Sequence, residues 1–251
     1  MESWFKNNIL KNKTALIIGG SSESGPAICN ILFEHGANVA FTYYKNEAYA
    51  HKIEKILKEK RNTKAYFLDI LNIEEVFKLI PKVCNDFGKL DILVNLGGPP
   101  PIYKSFRNLE EQDFDKMVNS FFKSYFFLSL EAAKHMELTK GGIIINISAT
   151  SILKYSHSVY GLAKTCQTMM GKFIAHTFAP TIRVITIIPG LIDLEGTDKK
   201  LRHERAKMSP LKRNVSPEEI AQIIISVCSP AFSSTTGESI IADGGFHLLH
   251  L

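Results

Sequence analysis

The run His157-Ser158-Val159-Tyr160-Gly161-Leu162-Ala163-Lys164 sets a phenol and an ammonium four residues apart. On a helix that spacing puts both side chains on one face. A free tyrosine ionises near pH ~10, and a cation held beside it favours the phenolate, which makes the ring a usable acid or base closer to neutrality. The chemistry expected of the pair is proton transfer, with Tyr160 as the acid and Lys164 as its electrostatic partner. The competing reading of an isolated pair is a core aromatic beside a solvated cation.

A second chemical feature follows the apolar run 14–18. In Gly19-Gly20-Ser21-Ser22-Glu23-Ser24-Gly25-Pro26, Gly19 and Gly25 would let the backbone approach a pyrophosphate, and Ser21 and Ser22 would add hydroxyl donors. Amide N–H groups and the positive end of the next helix would meet the charge. A plain strand-to-helix turn also needs glycine, for its backbone angles alone. Glu23 counts against a phosphate neighbour unless its carboxylate points away and favours the helix N-terminus.

These residues need elements to hold them. Short apolar, β-branched runs at 14–19, 38–43, 64–69, 91–96, 142–148, 182–189 and 238–243 alternate with helical periodicity. The helical segments are 26–36, one reaching about Lys60, one ending near Phe87, 113–138, 158–178 and 217–229. Strands apolar along their whole length are buried on both faces, as parallel strands under helices must be. The pattern predicts an α/β Rossmann-type doubly wound parallel sheet of about seven strands, with helices on both faces and residues 1–251 in one domain. The segment 190–215 lacks clear periodicity, and so long a loop is expected to act as a substrate-binding lid.

In order and spacing, the glycine loop, "LDI" (68–70), "VNLGG" (94–98), Tyr160-x-x-x-Lys164, "IIPG" (187–190) and "IIADGG" (240–245) resemble the short-chain dehydrogenase/reductase family over nearly the whole chain. The resemblance implies hydride transfer between a nicotinamide dinucleotide and a carbonyl, with Tyr160 as proton donor and Lys164 also holding the nicotinamide ribose. It places Asp69 and Ile70 at the adenine, Asn95 and Gly97 in the turn after the fourth strand, and Pro189, Gly190 and Ile192 at the nicotinamide amide. Leu194 stands where the family often has threonine, with Thr197 as a substitute. A homotetramer packed through 113–138, 158–178 and the C-terminal strand and tail is also implied.

The chain departs from the family at two supporting positions. Ala149 aligns with the catalytic serine, leaving Ser148, Thr150 or Ser151 to supply a hydroxyl; Ser148 is taken as the catalytic candidate. Phe121 aligns with the relay asparagine, while Asn119 lies on a different face. Similarity to 3-oxoacyl-thioester reductases makes that reduction the leading expectation. Enoyl-thioester reductases are similar at "VAFTY" (39–43), "SPLKRNVS" (209–216) and "DGGF" (243–246), although His157 stands where they carry their tyrosine. Dienoyl-CoA reductases share "NISAT" and the run 189–197. All three imply acyl thioesters on CoA or acyl carrier protein, which basic residues in 198–207 would suit. A non-catalytic dinucleotide-binding regulator is the alternative from another class. The second strand ends Thr42-Tyr43-Tyr44-Lys45 with no acid before Glu47, so Lys45 favours NADP(H) over NAD(H).

Composition narrows the classes. The chain has 251 residues, 45% hydrophobic and 22% charged, with 30 Lys+Arg against 25 Asp+Glu. Its charges are dispersed, as in "KIEKILKEKR" (52–61), so no nucleic-acid footprint is expected. Cys29, Cys84, Cys166 and Cys228 lie far apart in apolar patterns, which suits reduced thiols rather than a metal or disulfide framework. No stretch approaches ~18 uninterrupted apolar residues and "MESWFKNNILKNK" lacks a signal-like core. A cytoplasmic location without membrane insertion is the expectation.

Overall fold

The computed structural model describes residues 8–59, 61–153 and 158–250. Its seven parallel strands are β1 (Thr14–Ile18), β2 (Asn38–Tyr43), β3 (Thr63–Phe67), β4 (Ile92–Asn95), β5 (Gly142–Ile147), β6 (Ile182–Pro189) and β7 (Glu238–Ala242), in the order β3-β2-β1-β4-β5-β6-β7. The helices are α1 (Gly25–Glu34), α2 (Glu47–Lys58), α3 (Ile73–Phe87), α4 (Glu111–Val118), α5 (Ser124–Leu138), α6 (Val159–Thr177), α7 (Lys199–Met208) and α8 (Pro217–Cys228).

Alternate residues of the central strands feed opposite cores. Ala15 and Ile17 of β1 pack with Ile28 and Leu32 of α1 and Ile224 of α8. Leu16 and Ile18 face Val76 and Ile80 of α3 and Leu128 of α5. This explains the continuous apolar runs of the central strands, since neither of their faces meets water. Each fully buried Leu or Ile contributes about 1.5–3 kcal/mol. The strand order reverses between β1 and β4, parallel neighbours in the sheet whose crossovers run to opposite sides; this is the switch point at which open α/β sheets bind ligands.

Two segments differ from the expected pattern. The helix read over 113–138 is interrupted by a π-helical stretch, Asn119–Lys123, between α4 and α5. Single-turn π segments frequently mark functional sites, and this one carries Phe121. The loop read over 190–215 contains the ten-residue α7, capped by the Asp198 side chain on the Leu201 amide. No residue of α7 is buried, so it carries no apolar stripe from which to read a helix. No described helix is long and apolar enough to cross a membrane.

The far edge of the sheet is closed by Arg183 of β6, whose guanidinium donates to the carbonyls of Val227, Phe232 and Thr235. Arg183→Met leaves those acceptors without a charged donor. Its expected cost is about 2 kcal/mol, a fall of roughly 4–8 °C in thermal midpoint. An unchanged midpoint would show that this arginine does not hold the edge together.

Candidate active site and dinucleotide cleft

Two adjoining hollows open at the carboxyl edge of the sheet. One, of about 510 Å³, is bordered by Gly19, Ser21, Ser22, Lys45, Asp69 and Ile70. The other, of about 820 Å³, is bordered by Ser148, Tyr160, Lys164, Pro189, Gly190 and Ile192. Ser22, Gly97, Gly98 and Pro99 border both, so the two form a continuous cleft across the switch point. Most of the residues expected from the sequence thus come together.

The narrow part of the cleft is shaped by missing side chains. A Cβ on Gly19, whose φ is +81°, would lie 2.5 Å from the Gly97 Cα. The α1 N-terminus has no side-chain cap and no acid in its first turn, which leaves its positive end available to an anion. The buried Ser22 hydroxyl has no hydrogen-bond partner among the described residues. Glu23 turns its carboxylate onto the segment 190–215: a Cβ on Gly196 would lie 2.3 Å from its Oε1. The carboxylate therefore lies against that segment and does not border the cleft. Uncapped helix end, orphan hydroxyl and glycine cradle together fit a dinucleotide pyrophosphate.

Two expected contact residues are supports instead. Gly25 is buried against the loop, where a Cβ would meet the Gly20 carbonyl oxygen at 2.3 Å. Asn95 is fully buried and donates to Ser129 Oγ at 2.9 Å and Asn146 Oδ1 at 2.8 Å. It braces β4 against α5 and β5 and does not border the cleft.

Around the reacting pair the surroundings are aromatic. The Tyr160 ring meets Phe121 edge-on at 5.2 Å and Tyr103 at 5.7 Å. Lys164 is 2% exposed; its ammonium donates to the Ile147 carbonyl at 2.7 Å and Gln167 Oε1 at 3.0 Å. It lies 4.6 Å from the Phe121 ring centre, so a π face, not a carboxylate, faces the charge. Phe121 thus lies against the ammonium, and Gly98 makes room for it, since a Cβ there would lie 2.3 Å from the ring.

These surroundings act on both groups through burial. Burial lowers the Lys164 ammonium to about 7. Burial also pushes the Tyr160 phenol above its ordinary value, with the Tyr103 phenol adding to the rise. In the protein alone, desolvation thus favours the neutral form of each group.

The serine question also sharpens. Ser148 is 4% exposed, and its hydroxyl is engaged with Thr168 Oγ1 at 3.0 Å and the Lys164 carbonyl at 3.4 Å. This ties its hydroxyl to α6, although the residue borders the larger hollow. Ala149 has no hydroxyl to give. The Ser151 hydroxyl, in the same wall, is buried with no partner among the described residues. His157 lies outside the described residues.

The segment 190–215 contributes Leu194, Thr197, Leu201 and Arg205 to the larger hollow, where Tyr103 and Phe246 also stand. Sequence reasoning gave none of Tyr103, Arg205 and Phe246 an individual role. The proline-rich break before Tyr103 was the one available signal for it.

A family model described as "Enoyl-(Acyl carrier protein) reductase" matches residues 22–247. A 3-oxoacyl-[acyl-carrier-protein] reductase of Rickettsia conorii is 33% identical over 94% of this chain and 97% of its own. A short-chain dehydrogenase/reductase from Serratia marcescens superposes with TM-score 0.89 at 29% identity, covering 95% of this chain and 99% of the other. A short-chain dehydrogenase from Burkholderia cenocepacia, in complex with NADP, superposes with TM-score 0.86 at 26% identity over 94% and 98%.

The buried ammonium gives stability a pH signature. Below pH 7 both folded and unfolded chains carry the Lys164 proton, and the cost of burying it is constant. Between about 7 and the ordinary 10.5 the unfolded chain holds a proton that the folded chain lacks, so stability rises with pH. Compared with Lys164→Met in urea unfolding, the wild type should gain unfolding free energy across that window and not below it. A flat difference would show that the charge is not buried at a cost.

Proposed function

The chain belongs to the short-chain dehydrogenase/reductase family and is an oxidoreductase; from that premise we propose that it reduces a 3-oxoacyl thioester or related carbonyl with NADPH. The observation that carries this reading is the Tyr160 phenol beside Lys164 in the wall of the larger hollow, which Pro189, Gly190 and Ile192 also border. A protonated phenol at that place can give its proton to a carbonyl oxygen.

Reduced nicotinamide, when bound, supplies the hydride. Tyr160 donates its proton to the oxygen of the reacting carbonyl. Lys164 spends two of its donors on Ile147 and Gln167, and a third remains for the nicotinamide ribose. Ser151 supplies the hydroxyl that polarises the carbonyl, since Ser148 is engaged elsewhere. Ser22 and the uncapped α1 end take the pyrophosphate. Asp69 and Ile70 border the adenine. Lys45 and Lys116 stand in the smaller hollow with Asp69, whose carboxylate accepts from the Leu71 amide at 3.0 Å. This excess of cations favours a 2′-phosphate, hence NADP(H) over NAD(H).

Leu194, Leu201 and Phe246 give the substrate side apolar walls suited to an acyl chain on CoA or acyl carrier protein. The whole chain would act as one unit, with 190–215 as its lid. Phe114 of α4 and Leu162, Met169 and Phe173 of α6 are exposed apolar side chains, which supports burial against further copies in a homotetramer. We assign the protein to the cytoplasm. The description of the matching family model favours a second reading, reduction of an enoyl thioester.

NADPH oxidation with an acetoacetyl and, separately, a crotonyl thioester tests both. The expected result is turnover of the acetoacetyl substrate, reduced about 10²–10⁴-fold in Tyr160→Phe. Ser151→Ala should lower kcat about 10²-fold or more, while Ser148→Ala should change stability more than kcat. Turnover of the crotonyl thioester alone would replace the first reading with the second.

A further inference from the structure

Four charged side chains border the larger hollow: Lys164, Arg205, Arg213 and Asp243. Three have protein partners. Lys164 is held deep in the wall by Ile147 and Gln167. Arg213 makes a two-pronged pair with Glu219, both contacts at 2.7 Å. The Asp243 carboxylate accepts from the Gly245 and His247 amides and lies 3.0 Å from the His247 ring nitrogen.

Arg205 is different. Among the described residues its guanidinium has no hydrogen bond or ion pair, although Arg202, one turn earlier on α7, pairs with Asp193. It is held instead over the Phe246 ring, 4.6 Å from the centre. Stacking fixes the plane of a guanidinium and leaves its N–H edge free for a planar oxyanion. The Arg205 charge reaches Tyr103, where it opposes the upward push of burial on that phenol. Tyr103 in turn touches Tyr160. An unspent cation therefore sits on the wall of the reacting tyrosine, one aromatic residue away.

We infer that Arg205 is an anion-recognition residue of the substrate side, receiving an oxyanion that the substrate carries beyond its reacting carbonyl. This rests on the reading of the larger hollow as the substrate site. The oxyanion is a carboxylate of the substrate itself or a phosphate of a carrier arm. Either is drawn in by a cation with no carboxylate beside it.

Calorimetric binding to the whole protein, with and without NADP⁺, separates the sources through two matched pairs: acetoacetate against ethyl acetoacetate, and 4′-phosphopantetheine against pantetheine. In one pair the wild type should prefer the anion by about tenfold or more. Arg205→Met should bring that ratio to about one, and Arg205→Lys should keep part of it. No preference in either pair, or one that survives in Arg205→Met, overturns the inference. The arm that responds identifies the carboxylate or the phosphate. An Arg205-dependent preference, with no NADPH oxidation on any carbonyl probe, keeps the anion site and removes the reductase reading instead.

Discussion

At the carboxyl ends of β1 and β4, the backbones of Gly19 and Gly97 lie so close that a methyl group on either would overlap the other. The cleft depends on that approach. It lets the Gly97 amide reach the Ile18 carbonyl at 2.8 Å, so the two strand ends stay joined just where their crossovers diverge. With the ends pinned, the uncapped start of α1 stands on one side and the wall of β5 and α6 on the other. Asn95 supports the junction from beneath by bonding to Ser129 and Asn146. A buried amide in that position is specific because its loss would strand two further polar groups.

The reacting side is governed by desolvation. An ammonium surrounded by Phe121, Tyr125 and Tyr160, with a carbonyl and an amide oxygen as acceptors, is stabilised by ring faces and fixed dipoles but by no counter-charge. Such a cation stays close to neutrality in its titration, while the tyrosine beside it keeps its proton. Phe121 replaces a polar group by a ring and so excludes water from the same space. The π segment is what aims it: inserting an extra residue into the helical turn between α4 and α5 rotates the side chains that follow the insertion.

Much of this was legible in the sequence, for identifiable reasons. The strands 38–43 and 182–189 match the structure because their apolar runs are bounded sharply by glycine, proline or polar residues. Counting back from 131–136 reaches Phe121 through α5, regular from Ser124 onward, and then through the π segment that carries it. The π segment itself was hidden, because in "NSFFKSYFFL" aromatic residues occur on every face and a register shift leaves no trace in the pattern. Rotamers were equally hidden: residue order does not reveal that Ser148 turns to Thr168, nor that Glu23 turns to Gly196. The raised phenol of Tyr160 depends on its burial among rings from two other segments, Tyr103 and Phe121, and spacing within one helix carries no information about them.

The lid shows how the two halves of the cleft are kept in register. At its start, Gly196 rests against Glu23 of the phosphate loop. At its end, Ser209 donates to the Gly244 carbonyl at 2.9 Å, and the Leu211 amide donates to the same oxygen at 3.1 Å. Between these anchors α7 has no buried residue, so the anchors set its position, and its own packing does little. Gly244 and Gly245 both adopt positive φ, a backbone shape that brings Phe246 back under Arg205. The C-terminal turn thus serves two purposes: it anchors the end of the segment 190–215, and it provides the ring on which the Arg205 cation rests.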